Sequence, residues 1–136
     1  MGYFGLIPFI FLSILSCLAQ ESMRSGLIFA LLAYGATILS FLGAIHWGLA
    51  NRKSPIDSSR LLVWAVVPSL WAWVAVMAGS ATGLWLITMG LWACYLVDMR
   101  IYPHYGLKDW LGMRLMLTVI SSLSCIVAAL FAHTVK

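Results

Sequence analysis

Three side chains stand out as able to do chemistry in this 136-residue sequence: His46, Asp98 and Arg114. An imidazole can carry a proton, ligate a metal or hydrogen-bond a ligand, and a carboxylate or guanidinium beside it can set its charge and orientation. His46 lies in the uncharged run that starts at Gly26 and ends at Ala50. An ionisable group placed so is costly in lipid, by roughly 2.5 kcal/mol or more if it stays charged, which marks it as a candidate site. Hydrolysis needs a nucleophile, a base and a group that orients the base, and the sequence presents no such set. One Asp and one His without a second carboxylate supply no catalytic residues. The expectation is therefore a non-enzymatic protein in which His46, Trp47, Asp98 and Arg114 bind a ligand or close helix ends.

The elements that hold these residues follow from composition. Hydrophobic residues make up 63% of the chain and charged residues 9%, against about 25% in ordinary soluble domains. The charges cluster at Glu21/Arg24, at Arg52 to Arg60, at Asp98 to Arg114 and at Lys136, with uncharged sequence between. About 20 helical residues cross a hydrocarbon core of about 30 Å. The stretch from Leu61 to Val97 would be about 55 Å long as one helix, so it folds back, at the turn formers Gly79 to Gly83. The predicted fold is an all-α integral membrane protein, a single domain with five spans at about 3–19, 26–50, 61–78, 81–97 and 112–132. Runs this long and apolar on every face do not fit barrel strands.

Orientation is read from the basic residues. Arg52, Lys53, Arg60, Arg100, Lys108 and Arg114 fall on one side, and only Arg24 and Lys136 on the other. The positive-inside rule then predicts a cytoplasmic N-terminus and an external C-terminus. The net charge of +4 reports this topology and gives no reason to invoke nucleic acid. With no basic region ahead of its first apolar run and no Arg-rich presequence, the chain is expected in a bacterial inner membrane.

Packing accounts for several other features. Ala33, Ala36, Ser40 and Gly43 recur at spacings of three and four, a seam of small residues that lets another helix approach. Pro68 removes a backbone hydrogen bond to the Trp64 carbonyl and is expected to kink its helix, a kink that could open a cavity, although Pro is common in membrane helices because neighbours re-satisfy the backbone. Trp64, Trp85 and Trp110 fall near span ends, where aromatic belts anchor helices. Cys17, Cys94 and Cys125 lie in different spans and at different depths, with no paired spacing, so no metal site is predicted. A haem on two histidines fails because His46 and His133 lie about 30 Å apart if their helices cross fully. His104 sits in a turn-forming loop, Tyr102-Pro103-His104-Tyr105-Gly106.

Several segments together resemble the transmembrane protein 69 family. They are Gly5-Leu6-Ile7-Pro8-Phe9, Tyr34-Gly35-Ala36, Phe41-Leu42-Gly43-Ala44-Ile45-His46-Trp47-Gly48, Val67-Pro68-Ser69-Leu70, and Trp110 with Arg114, Leu117 and Thr118. The resemblance covers nearly the whole chain, and its His-Trp-Gly segment is the most specific part. It implies a small polytopic membrane protein of proteobacterial inner membranes, with a mitochondrial relative, built on a domain of unknown function. It implies no catalytic residues. The leading functional expectation is an accessory or assembly subunit packed against a larger membrane complex, or a homo-oligomer. The alternative is a binding protein for quinone or lipid near the cytoplasmic end of the second helix; an oligomeric transporter ranks third. No cofactor is expected outside the quinone or lipid alternative.

Overall fold

In the computed structural model, which describes residues 2–51 and 58–133, the chain is an all-helical bundle. A short 3-10 turn, Gly2–Gly5, leads into α1, Leu6–Leu18. Next come α2, Glu21–Ala50, and α3, Ser58–Met77. Then follow α4, Ser80–Ile101, a second 3-10 turn at Tyr102–Tyr105, and α5, Trp110–His133. Four of the helices, α2 to α5, are long and apolar enough to cross a membrane. The first is shorter: its 13 helical residues cover about 20 Å and need the preceding 3-10 turn to approach a full crossing.

Each chain reversal has a local cause. Ala19 and Gln20 are extended, with ψ of 151° and 155°, and separate α1 from α2. Arg24 reaches back across this break, its Nε donating to the Ser16 carbonyl and its Nη2 to the Ala19 carbonyl, both at 3.1 Å. The open carbonyls at the end of α1 thereby gain a cationic cap. Between α3 and α4 the turn narrows to Gly79, whose φ of 88° suits a residue without a side chain. The helix α4 starts at Ser80, one residue before the start expected for the fourth span. At its other end α4 runs past Asp98 to Ile101, so Asp98 does not terminate the helix as expected but faces inward from its last turns. The loop that follows is also structured: Gly106 at φ 70° closes a turn in which the Leu107 N–H donates to the Tyr102 carbonyl at 3.0 Å.

The longest helix, α2, is the hub. It packs against α1, α3, α4 and α5, and it begins at Glu21, five residues before the charge-free run. Leu31, Leu32 and Leu39 on α2 meet Leu84 and Ile87 on α4 and Ala75 on α3 in the core. Lipid tails are as apolar as these side chains, so burial alone does not hold the bundle together; close van der Waals fit and internal hydrogen bonds do. The close fit comes from glycines. A Cβ on Gly43 would overlap the Ala65 carbonyl of α3 and press on Pro68, and one on Gly83 would overlap the Ala75 carbonyl. Gly90 leaves room for the Trp71 indole, whose Nε1 donates to the Leu86 carbonyl at 2.7 Å and clips α3 to α4. At α1, Ser13 Oγ donates to the Ser124 carbonyl at 3.1 Å and Tyr34 OH to the Gly5 carbonyl at 2.9 Å. The outward faces, with Phe4, Phe29, Trp73 and Leu123 more than half exposed, are apolar and suited to lipid.

Candidate functional site

α2, α4 and α5 each contribute one residue to a buried polar group. Arg114 Nε and Nη2 both donate to Asp98 Oδ2, at 2.9 and 2.7 Å. His46 Nε2 lies 3.2 Å from the other oxygen, Oδ1. All three residues are buried, His46 and Asp98 at 1% exposure and Arg114 at 6%. Tyr102, from the second 3-10 turn, is buried with its hydroxyl beside the Arg114 guanidinium. Sequence places His46 near the headgroups, but the surrounding helices exclude it from solvent.

The imidazole has a defined role in this group. Its Nδ1 lies 3.2 Å from the Leu42 carbonyl one turn earlier, which can only accept, so Nδ1 carries a proton. Nε2 faces Oδ1 within ion-pair distance but off the line of a hydrogen bond, and neither atom has another partner. A second proton on the ring would turn this contact into a charge-assisted pair. With Nδ1 protonated and the ring neutral, Nε2 keeps its lone pair, which faces the Asp98 carboxylate. Asp98 and Arg114 balance one another, so with the ring neutral the group has no net charge.

Two cavities lie near this group. The first, about 270 Å³, is bounded by α1, α2, α4 and α5. Its walls are apolar, from Phe9, Ile38, Leu42, Leu91 and Leu117, and its polar side is a stripe on α5: Arg114, Thr118 and Ser121. Arg114 thus belongs both to the ion pair and to the cavity wall. Thr118 Oγ1 is buried with no hydrogen-bond partner. The second cavity, about 250 Å³, lies beside Pro68 of α3, a helix that continues unbroken through the proline, between Trp64, Trp71 and Gly90.

The residues singled out in the sequence divide accordingly. His46, Asp98 and Arg114 converge. Trp47 does not join them: it is 53% exposed and lines neither cavity. Of the seam, Gly43 is buried against α3, while Ala33, Ala36 and Ser40 are half-buried. His104 stays on the exposed turn, its Nδ1 on the Arg100 carbonyl at 2.9 Å. Cys94 and Cys125 are buried free thiols and Cys17 is half-buried. Among the described residues no three His, Cys, Asp or Glu side chains gather as metal ligands. Sequence reading missed Tyr102 and the stripe of Thr118, Ser121 and Ser122. The available signal was their spacing of four, seven and eight residues from Arg114, which puts all of them on one helical face.

The fold and this buried group define the class: a small multi-pass helical membrane protein with a charge-balanced polar group inside the bundle. Residues 1–130 match the family model described as "Protein of unknown function (DUF3429)". The chain belongs to that family. Transmembrane protein 69 of Xenopus tropicalis is 33% identical over 135 residues, covering 93% of this chain and 51% of that protein. Transmembrane protein 69 of Mus musculus is 29% identical over 134 residues, covering 95% of this chain and 54% of that protein. The chain therefore spans about half the length of these curated relatives. No solved structure matches it.

Proposed function

We propose that this membrane protein is a non-enzymatic binding protein for a lipid-soluble small molecule, held in the cavity between α1, α2, α4 and α5. One observation carries the reading: an apolar cavity of about 270 Å³ whose polar side is made by Arg114, Thr118 and Ser121. Small-molecule sites are mostly apolar concavities with a few convergent polar groups, and this one has that composition. Arg114 is fixed by Asp98, and Asp98 faces His46, so the ion pair stiffens the polar side of the cavity. The accessory-subunit reading was motivated by the small-residue seam, and the most buried member of that seam, Gly43, is occupied by α3 of the same chain. The seam therefore favours internal packing over an external partner.

The proposed setting is the inner membrane of a bacterium, with the N-terminus in the cytoplasm. The support is the basic bias, revised in one respect: Arg114 is consumed by Asp98 and drops out, which leaves Arg52, Lys53, Arg60, Arg100 and Lys108 on one side. Arg52, Lys53 and Lys136 lie outside the described residues.

Binding is tested by extraction. Protein purified in native nanodiscs should release a near-stoichiometric lipid-soluble compound into organic solvent. Leu117→Trp, which fills the cavity from α5, should release much less while keeping its helical circular dichroism. Equal release from both proteins would remove this cavity as the site.

A further inference from the structure

Resting on the cavity reading above, we infer that its occupant is an uncharged single-chain lipid whose head is a carbonyl or hydroxyl group, hydrogen-bonded to Thr118. Arg114 is the charged residue on the cavity wall, and two of its N–H groups already go to Asp98 Oδ2. An anionic head would have to displace a carboxylate that is 1% exposed, or else lie beside it as a second buried negative charge. A cationic head would find no acidic side chain among the lining residues. The site offers no uncompensated charge of either sign, and an ion brought into it would lose its hydration without gaining a counter-ion.

An uncharged head does find a partner. Thr118 is 2% exposed, lines the cavity, and its Oγ1 has no hydrogen-bond partner. A buried hydroxyl in an apolar wall ordinarily bonds the carbonyl one turn earlier, as Thr88 does with Leu84 at 3.0 Å in α4. Thr118 does not, so it remains available both to donate and to accept. Ser121, one turn further on and 4% exposed, lines the same wall. A ketone, quinone or alcohol oxygen satisfies this wall; a phosphate or ammonium does not.

Depth and shape support the same occupant. Thr118 lies eight residues past Trp110 on α5, about 12 Å along the helix, well inside the apolar layer if Trp110 marks its edge. Phospholipid heads stay at the interface, whereas an uncharged head can enter this far. A volume of about 270 Å³ lies just below the roughly 300–1,000 Å³ of small-molecule sites, room for one head and the start of one chain. The way out is also apolar. Phe41 and Trp110 line the cavity and are 62% and 57% exposed, so it opens sideways toward lipid. A second hollow of about 340 Å³, lined by Gly48, Leu49, Tyr102 and Leu107, shares Ile45 and Trp110 with it and extends the path along the bundle.

Three diazirine-bearing probes separate the possibilities in phosphatidylcholine nanodiscs: dodecanol, dodecyl phosphate and phosphatidylcholine itself. The dodecanol probe should label α2 between Ile38 and Ile45 and α5 between Met113 and Ser121, and unlabelled decylbenzoquinone should compete. Thr118→Val keeps the shape and removes the hydroxyl. It should weaken dodecanol labelling about fivefold, the loss expected for one hydrogen bond, while Thr118→Ser restores most of it. Thermal unfolding of Thr118→Val at or above the wild-type temperature shows that the variant is folded; if it unfolds lower, the Thr118→Ser comparison alone decides. Undiminished labelling of a folded Thr118→Val, or of Thr118→Ser at the level of Thr118→Val, overturns the assignment to Thr118. Saturable labelling of the same residues by dodecyl phosphate or phosphatidylcholine, equal to that by dodecanol, overturns the uncharged head and leaves the cavity as a lipid site. No saturable labelling by any probe overturns both.

Discussion

Asp98 Oδ2 takes two N–H groups from Arg114 while Oδ1 faces His46, so a single carboxylate joins α2, α4 and α5. In a medium with no water to replace lost partners, breaking such a group costs more than removing it whole. Asp98→Asn should leave the Arg114 charge buried without a counter-ion and destabilise the bundle by roughly 3–5 kcal/mol. Asp98→Leu combined with Arg114→Met should recover most of that loss. Reversible unfolding in mixed micelles measures both, and a double variant no better than Asp98→Asn would show that the pair does not act as a unit. All three residues were legible in the sequence as polar groups at one end of the bundle. Their convergence was not, because it depends on how far each helix is rotated about its axis, and these helices are apolar nearly all the way round. The spacing of Thr118 and Ser121 from Arg114 was present in the sequence, but hydroxyls in a span usually bond their own helix and leave no outward signal.

Helices were legible from charge-free length, and their ends only approximately. Glu21 and Arg24 read as a loop, yet both lie in α2, because Arg24 caps α1 from within the next helix. The same cap holds the short α1 to the bundle, and Ser13 and Tyr34 add further ties to α5 and to the N-terminal turn. These ties suit a helix whose 13 residues fall short of a full crossing unaided. If α1 with its 3-10 turn crosses, the chain has an odd number of spans and its two ends face opposite sides. A C-terminal alkaline phosphatase fusion in a bacterial host should then be active, and a C-terminal cytoplasmic reporter silent. The reverse pattern would contradict the orientation read from the basic residues.

At the scale of the whole molecule, α2 organises a bundle that uses Gly43, Gly83 and Gly90 for close packing and leaves two apolar cavities beside it. One of them lies beside Pro68, the residue at which the sequence leads one to expect a kink. The other has no local signature, because four helices distant in sequence enclose it. The ion pair and that cavity share Arg114, and on the proposed reading this gives a buried charged group a physical role: it fixes the polar side of the binding site. The most direct test is a structure of the protein extracted in native nanodiscs without exchange of its lipids. The account predicts elongated density entering between Phe41 and Trp110 and ending within hydrogen-bonding distance of Thr118 Oγ1. Side chains collapsed into an empty cavity, with Thr118 bonded to its own helix, would contradict it.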